Sequence, residues 1–330
     1  MAGIQVQLLT ADGVQPRELS EVESLLKRDD VLIWVDIPEC SDEAVMFLTD
    51  VLECHPLAVR DCMQRNRVPR IRIYPHHQLL ILHGPERGPS GHVHYIELDQ
   101  IIGDKYLITV HGPLNPAVDP AVALRETDAV RRRLIAGKLR PTSSYELSYA
   151  VVSALTHRLE GFIEELTHEV WQLEQRVTGG HMGNPEEFLE ELFQARHGLL
   201  AARTMGALGA EVYGRIVAMP ERVPEDDLRL AVDMVDQLDR IRGLADGERE
   251  YLQGVIEYYR TRADTKMTIA AERLAVIAVV TLPITALSSV YGMNIIVNDH
   301  THLPQLIAVL SVMTVMSITL LTWAKRRGWW

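Results

Sequence analysis

The chain has 330 residues, 47% of them hydrophobic and 24% charged, with 33 basic against 45 acidic side chains and a net charge of −12. That is length for about two domains and an ample core, which excludes a disordered chain and a small disulfide scaffold. Residues 271–330 hold only Glu272, Asp299, Arg273, Lys325, Arg326 and Arg327, a net of +2, which leaves −14 on residues 1–270. An acidic body is therefore joined to a nearly uncharged tail, and the acidity of the body disfavours nucleic acid as a partner.

The amino terminus, MAGIQVQLLTADG, has no charged n-region and no long apolar h-region, so no cleaved signal peptide is expected. Strand-like runs follow at Ile4–Leu9, Val31–Ile37, Ile71–Tyr74, Gln78–Leu82, His92–Asp99 and Tyr106–His111, with short helices over Glu43–Leu52 and Leu57–Met63. Residues 1–142 thus read as an α/β domain with one mixed or antiparallel sheet. No Walker loop and no GxGxxG follows any of these strands, so no nucleotide site is expected. Cys40, Cys54 and Cys62 lack CxxC spacing and read as reduced structural thiols.

From Ser143 the pattern is helical. Ser143 with Glu146 predicts a capping box, and the helix runs to the Gly179-Gly180 break. A second helix starts at Asn184 as N-cap with Pro185, Glu186 and Glu187 in its first turn, and it ends before Pro220. Residues 143–223 are thereby an antiparallel helical pair. A third helix starts near Pro224, and Leu228, Val232, Val235, Leu238 and Ile241 recur along it as a packing seam. Residues 224–273 form a stalk that continues into an apolar run, about 67 residues or roughly 100 Å in all. A lone helix of that length cannot bury its own seam, and other copies of the chain are the expected partners.

Leu274–Tyr291 and Leu303–Trp323 are 18 and 21 residues without a formal charge. About 20 apolar residues span a hydrocarbon core, so both read as transmembrane helices. Arg260, Arg262, Lys266 and Arg273 precede the first and Lys325, Arg326 and Arg327 follow the second, while 292–302 has no Lys or Arg. The positive-inside rule places both termini in the cytoplasm and the loop outside, as expected of a multi-pass protein of the plasma (inner) membrane. Trp323, Trp329 and Trp330 suit the interfacial belt, and 324–330 is a basic tail.

Gly292-Met293-Asn294 stands at the outer end of the first of two C-terminal spans, ahead of a basic C-terminus. Together with His55-Pro56-Leu57-Ala58, Asp61-Cys62, Asn66-Arg67, Leu107-Ile108-Thr109-Val110-His111 and Pro283, it resembles the CorA family of divalent-cation channels over essentially the whole chain. The resemblance implies an α+β membrane protein, a homopentameric funnel in the lipid bilayer whose first spans line a pore, and no enzyme. It implies a selectivity filter at Gly292, Met293 and Asn294, with Asn294 carbonyls greeting hydrated Mg²⁺. Mg²⁺ gives up water reluctantly, so neutral amide oxygens bind it through its waters without trapping it.

Stepping back by threes and fours gives a pore-lining face of Ser289, Thr285, Leu282, Ala278, Leu274 and Ala271, with Thr268 below it. Thr285 and Ser289 have the alternative of bonding to the preceding turn. Leu282 and Leu274 have the alternative of packing, and the resemblance favours a gate at Leu274. Thr268 and Ala271 replace the Asn and Met of many relatives, and only Asp299 remains acidic in the outer loop.

The resemblance also implies cytoplasmic Mg²⁺ sensing at Asp233 and Asp236, with Glu257 an acidic position farther along. The second ligand of that site is left open among Glu86, Glu97 and Asp99. A basic collar of Lys325, Arg326 and Arg327 would lie near the inner mouth. The expected function is passive, potential-driven Mg²⁺ uptake gated by Mg²⁺ between subunits, with Co²⁺ or Ni²⁺ as further ions. Two alternatives stay open: a relative of the same fold that transports Zn²⁺, Co²⁺ or Ni²⁺, and a non-conducting membrane-anchored sensor or scaffold.

Overall fold

The computed structural model describes residues 3–180, 183–292 and 303–326. The chain divides into two compact units, one ending at Val255 and the other beginning at Ile256.

The first unit is built on a seven-stranded mixed sheet in the order β2-β1-β3-β7-β6-β5-β4. Its strands are β1 (Gln5–Thr10), β2 (Gly13–Arg17), β3 (Leu32–Ile37), β4 (Arg70–Ile73), β5 (Gln78–Arg87), β6 (Val93–Ile102) and β7 (Tyr106–Val110). β3 and β7 pair in parallel, and the other neighbours are antiparallel. Small helices α1 (Val22–Leu25), α2 (Asp42–Met46) and α3 (Pro56–Met63) and the longer α5 (Arg125–Ile135), preceded by α4 (Pro120–Ala123), flank the sheet.

Side chains alternate along each strand, so both faces carry apolar rows. Val6, Leu8, Ile33, Val35, Ile81 and Ile108 pack with Val22, Leu48 and Val59 on one face. Trp34, Leu80, Leu82, Leu98 and Leu107 pack with Val130, Leu147, Val151 and Tyr213 on the other. A sheet covered on both faces explains why β3 is buried at every position.

The structure adds to the strands read from sequence. β2 went unread because GVQPR is short, carries Pro16 and lies at the sheet edge, where proline costs no ladder bond. β5 and β6 run on past Leu82 and Asp99, since backbone pairing from Gln78↔Ile102 to Arg87↔Val93 continues through polar residues.

Two long helices follow, α6 (Ser144–Gly179) and α7 (Pro185–Val217), with Ser143 and Asn184 as their N-caps. Ser143 Oγ accepts from Glu146 N at 3.0 Å, but Glu146 reaches back to Thr142 N rather than to Ser143, so the expected capping box closes one residue early. Gly180 ends α6 at φ +77°, a left-handed cap open to glycine.

The last two helices are α8 (Glu225–Gly292) and α9 (Leu303–Arg326). The seam of α8 within the first unit is Ala231, Met234, Leu238, Ile241, Ala245, Leu252 and Val255, whereas Val232 is 44% exposed. Within this unit the seam is covered by α7 of the same chain. Gly206 and Gly209 of α7 let Leu238 and Ile241 approach closely: a Cβ on Gly206 would meet Leu238 O at 3.0 Å, Arg242 N at 3.1 Å and Ile241 Cγ2 at 3.1 Å. Arg203 pairs with Asp246 at 2.7 Å, and Tyr251 donates to Glu174 Oε2 at 2.5 Å.

Candidate functional site

In the second unit, α8 and α9 are long and apolar enough to cross a membrane, and only 6% of the most apolar window of each is buried. A core helix of a soluble protein would be covered, so these are not core helices. Pro283 lies within α8, which continues through it to Gly292.

The less exposed residues of this stretch of α8 are Val276, Val280, Pro283, Ile284 and Leu287, with Ala278 also half-buried. On α9 they are Val309, Met313, Met316, Ser317, Leu320 and Ala324. Both sets follow the three-four spacing of a helix–helix seam. At about 100° per residue, the direction defined by Val276, Val280, Pro283 and Leu287 lies roughly opposite the direction shared by Leu274, Ala278, Leu282, Thr285 and Ser289.

The face proposed from sequence is therefore the uncovered one. Ser289, Thr285, Leu282, Leu274, Ala271 and Thr268 are exposed, and Leu274 and Leu282 are 67% and 66% so. Thr285 donates to Thr281 O at 2.8 Å, the backbone bond that the alternative reading anticipated for it, and Thr268 donates likewise to Asp264 O at 3.0 Å. Each hydroxyl's acceptor lone pairs stay free of that bond. Gly292 closes α8; Met293 and Asn294 of the expected filter and Arg327 of the expected collar lie outside the described residues. Lys325 and Arg326 are exposed in the last turn of α9, where cations favour the helix dipole.

On the stalk, Asp233 is exposed but engaged. Its Oδ2 accepts from the Tyr149 hydroxyl of α6 at 2.5 Å and from Gln237 Nε2 at 2.6 Å. Burial first, and then the facing Asp233 carboxylate, push the Tyr149 phenol up, so it stays a donor. Asp236 and Glu257 are exposed and make no ion pair among the described residues. The structure brings Asp233 and Asp236 onto neighbouring turns, with Glu257 farther along in the second unit.

None of the residues left open as a second ligand faces solvent unpaired. Glu86 accepts from Arg158 at 2.8 Å and lies 3.5 Å from Arg125, while Glu97 and Asp99 are interior. Tyr149 is the part of the site that sequence reasoning missed. It stands 84 residues from Asp233 with no local signal, whereas Gln237 is its i+4 neighbour.

An acidic mixed-sheet body joined to two uncovered apolar helices long enough to span a bilayer has the make-up of an integral membrane protein with a large extramembrane domain. Residues 29–327 match the family described as CorA-like Mg2+ transporter protein, and the chain belongs to that family, one of transporters rather than enzymes.

Among relatives, it is 22% identical to the putative metal ion transporter YfjQ of Bacillus subtilis, over 93% of each chain. It is 21% identical to the cobalt/magnesium transport protein CorA of Thermotoga maritima, covering 99% of this chain and 92% of that one. The fold matches the complete CorA magnesium transporter of Methanocaldococcus jannaschii with a TM-score of 0.79 at 15% identity, over 100% and 99% of the two chains.

Proposed function

We propose that the protein is a homopentameric channel for passive Mg²⁺ uptake across the plasma (inner) membrane, with both termini in the cytoplasm. The observation that carries this reading is the uncovered face of α8. Ser289, Thr285, Leu282, Ala278 and Leu274 line the side turned away from the partly buried seam, so copies placed around one axis would enclose hydroxyl groups above and leucines below. In this reading Asn294 presents its carbonyl at the outer mouth, and Leu274 is a dewetting constriction. A divalent ion entering through 100 mV gains about 4.6 kcal/mol, twice the roughly 2.3 per elementary charge, so no ATP is required.

Gating belongs to the stalk. Among the described residues no three His, Cys, Asp or Glu come together as a metal site, so Mg²⁺ at Asp233 would complete its shell with water and with groups of an adjacent copy. Carboxylates repeated around the axis repel until an ion bridges them, so bound Mg²⁺ favours the closed assembly and its loss favours the open one. The transported ion is then its own inhibitor. Co²⁺ is a further cargo, in keeping with the cobalt/magnesium transport named for the Thermotoga relative, and Ni²⁺ is proposed beside it.

Flux into proteoliposomes tests the assignment. Potential-driven Mg²⁺ entry is expected from the wild type and its loss from Asn294→Ala. Absence of wild-type flux, or undiminished flux through the variant, rejects a channel with this filter.

A further inference from the structure

Glu97 and Asp99 stand two residues apart on β6, so both side chains leave the same face of the sheet, toward α3. Glu97 is 6% exposed and Asp99 is fully enclosed. Glu97 is held firmly. Asn66 N donates to its Oε2 at 2.8 Å, and the Asn66 amide donates to its Oε1 at 2.6 Å. Gly112, at φ +58°, passes so close that a Cβ there would lie 3.2 Å from Glu97 Cδ.

Asn66 is the clasp of the α3–β4 connection. Its amide also donates to the carbonyls of Asp61 and Gln64, which closes the end of α3. Its Oδ1 accepts from Arg70 at 2.8 Å, and its backbone carbonyl meets His83 Nε2 at 2.8 Å.

Asp99 has no comparable support: neither of its oxygens has a hydrogen-bond partner by distance and angle. The groups around it are the Glu97 carboxyl, within hydrogen-bonding reach, and the Cys62 thiol of α3, with Asp61 beyond. Cys40 lies near Asp99 and Cys54 near Cys62, and burial holds both thiols protonated, pushed up to about 11 and about 12. None of the nearby cations bonds Asp99. Arg72 and Arg70 face Asp61 at 2.5 Å and 3.9 Å, and the charge of Arg65 acts on Glu97. His83, the register partner of Glu97, is held toward its neutral form, chiefly by burial.

Ionised carboxylates carry acceptors only, so two of them cannot hydrogen-bond without a proton. Two adjacent buried anions with no cation bonded to Asp99 would also repel strongly. We propose that Glu97 and Asp99 share one proton, carried by Asp99 and donated to Glu97, and that this pair latches Asn66 and the α3–β4 connection to the sheet.

The position of the proton follows from Asn66. Its two N–H groups favour the ionised form of Glu97, so the proton resides on the carboxyl that has no such donors. In accord with this geometry, burial and the adjacent Glu97 charge push Asp99 well above the usual carboxylate range. Glu97 is raised too, by burial, against the opposing pull of Asn66.

The sign of the pH response follows. A group whose folded-state value is raised contributes most to stability below the ordinary carboxylate range, and that contribution is lost as pH rises through the raised value. Loss of the shared proton puts two anions side by side, and the latch on Asn66 loosens. The inference concerns the soluble unit and does not depend on conduction.

The test uses the full-length protein in detergent. Near neutral pH, infrared spectra of the wild type should show the carbonyl band of a buried carboxylic acid, and Asp99→Asn should lack it. Asparagine is isosteric and can donate to Glu97, so the variant should unfold at a higher temperature than wild type near pH 8, with the gap closing toward about pH 4. Hydrogen exchange in residues 64–69, corrected for intrinsic rates, should accelerate at alkaline pH in the wild type and not in Asp99→Asn.

An unchanged band, a gap independent of pH, or a stoichiometric metal ion lost with Asp99→Asn would each overturn the proposal. Should the variant fail to fold, infrared titration of the wild type still decides: the band persists at neutral pH if the proton is shared, and disappears in the ordinary carboxylate range if it is not.

Discussion

The Tyr149 hydroxyl of α6 donates to Asp233 Oδ2 of α8 at 2.5 Å, so the carboxylate proposed to sense Mg²⁺ is already tied to its own chain. Gln237 donates to the same oxygen, which leaves Oδ1 as the freer ligand atom. An incoming cation competes with the phenol for that carboxylate's charge. Tyr149→Phe removes one donor worth about 0.5 to 1 kcal/mol at an exposed site, so Mg²⁺ should protect the variant from limited proteolysis at a concentration roughly two- to fivefold lower. Protection at the wild-type concentration would show that the tether has no part in sensing.

The approach of α7 to α8 at Gly206 predicts a contrast between two glycines. A Cβ on Gly206 first meets backbone, Leu238 O at 3.0 Å and Arg242 N at 3.1 Å, so Gly206→Ala must push the helices apart. That overpacking should cost about 1 to 3 kcal/mol. A Cβ on Gly214, farther along the same helix, meets nothing within 4 Å, and Gly214→Ala should stabilise by about 0.5 to 1 kcal/mol. Thermal or denaturant midpoints of the two variants should move in opposite directions.

These cases also mark what was legible in the sequence. The strands were readable where β-branched residues fill positions buried on both faces, as in Leu32–Ile37, and the long helices where Ser143, Asn184 and Pro185 mark their starts. The azimuth of the uncovered face of α8 was readable too, because three-four spacing fixes a direction on a helix before any neighbour is known.

Which helix covers which seam was not readable. Val232 fits the period as well as Ala231, Met234 and Ala245 do, and only the position of α7, with glycines at 206 and 209, leaves Val232 exposed while those three are buried and Leu228 and Val235 pack at the margin of the core. The link from Tyr149 to Asp233 and the enclosure of Asp99 are likewise products of tertiary packing, joining residues with no local sequence relation.

A buried charge network at the parallel strand pair yields a prediction with opposite pH sense to the Glu97–Asp99 pair. Asp36 at the end of β3 accepts from Thr109 at 2.5 Å, meets His111 Nε2 at 2.8 Å and pairs with Arg131 of α5 at 2.6 Å. Burial alone would raise Asp36, but the His111 ring, the Thr109 hydroxyl and the Arg131 guanidinium outweigh it and hold the carboxyl below the ordinary value. Its contribution is therefore present above the ordinary carboxylate value and is lost as pH falls through the depressed one. Arg131→Ala strips one partner from a buried anion and should cost about 3 kcal/mol, with acid unfolding beginning at higher pH. An unaltered acid transition would mean that His111 and Thr109 alone satisfy Asp36.

The gate proposed at Leu274 makes the last prediction, because its azimuth can be tested separately from its chemistry. Leu274 lies on the uncovered side of α8, and Ile277, 58% exposed, lies roughly 100° away from that face. If the constriction holds back ions by excluding water, a hydroxyl at Leu274 should wet it, while the same change at Ile277 alters only a side contact. Leu274→Ser should therefore raise Mg²⁺ entry several-fold at concentrations that close the wild type, and Ile277→Ser should leave the closed-state leak unchanged. Both variants keep the helix and lose similar apolar volume, so a difference between them reports orientation rather than stability. Equal leaks would place the barrier elsewhere on the helix, and no leak in either would remove Leu274 from the gate.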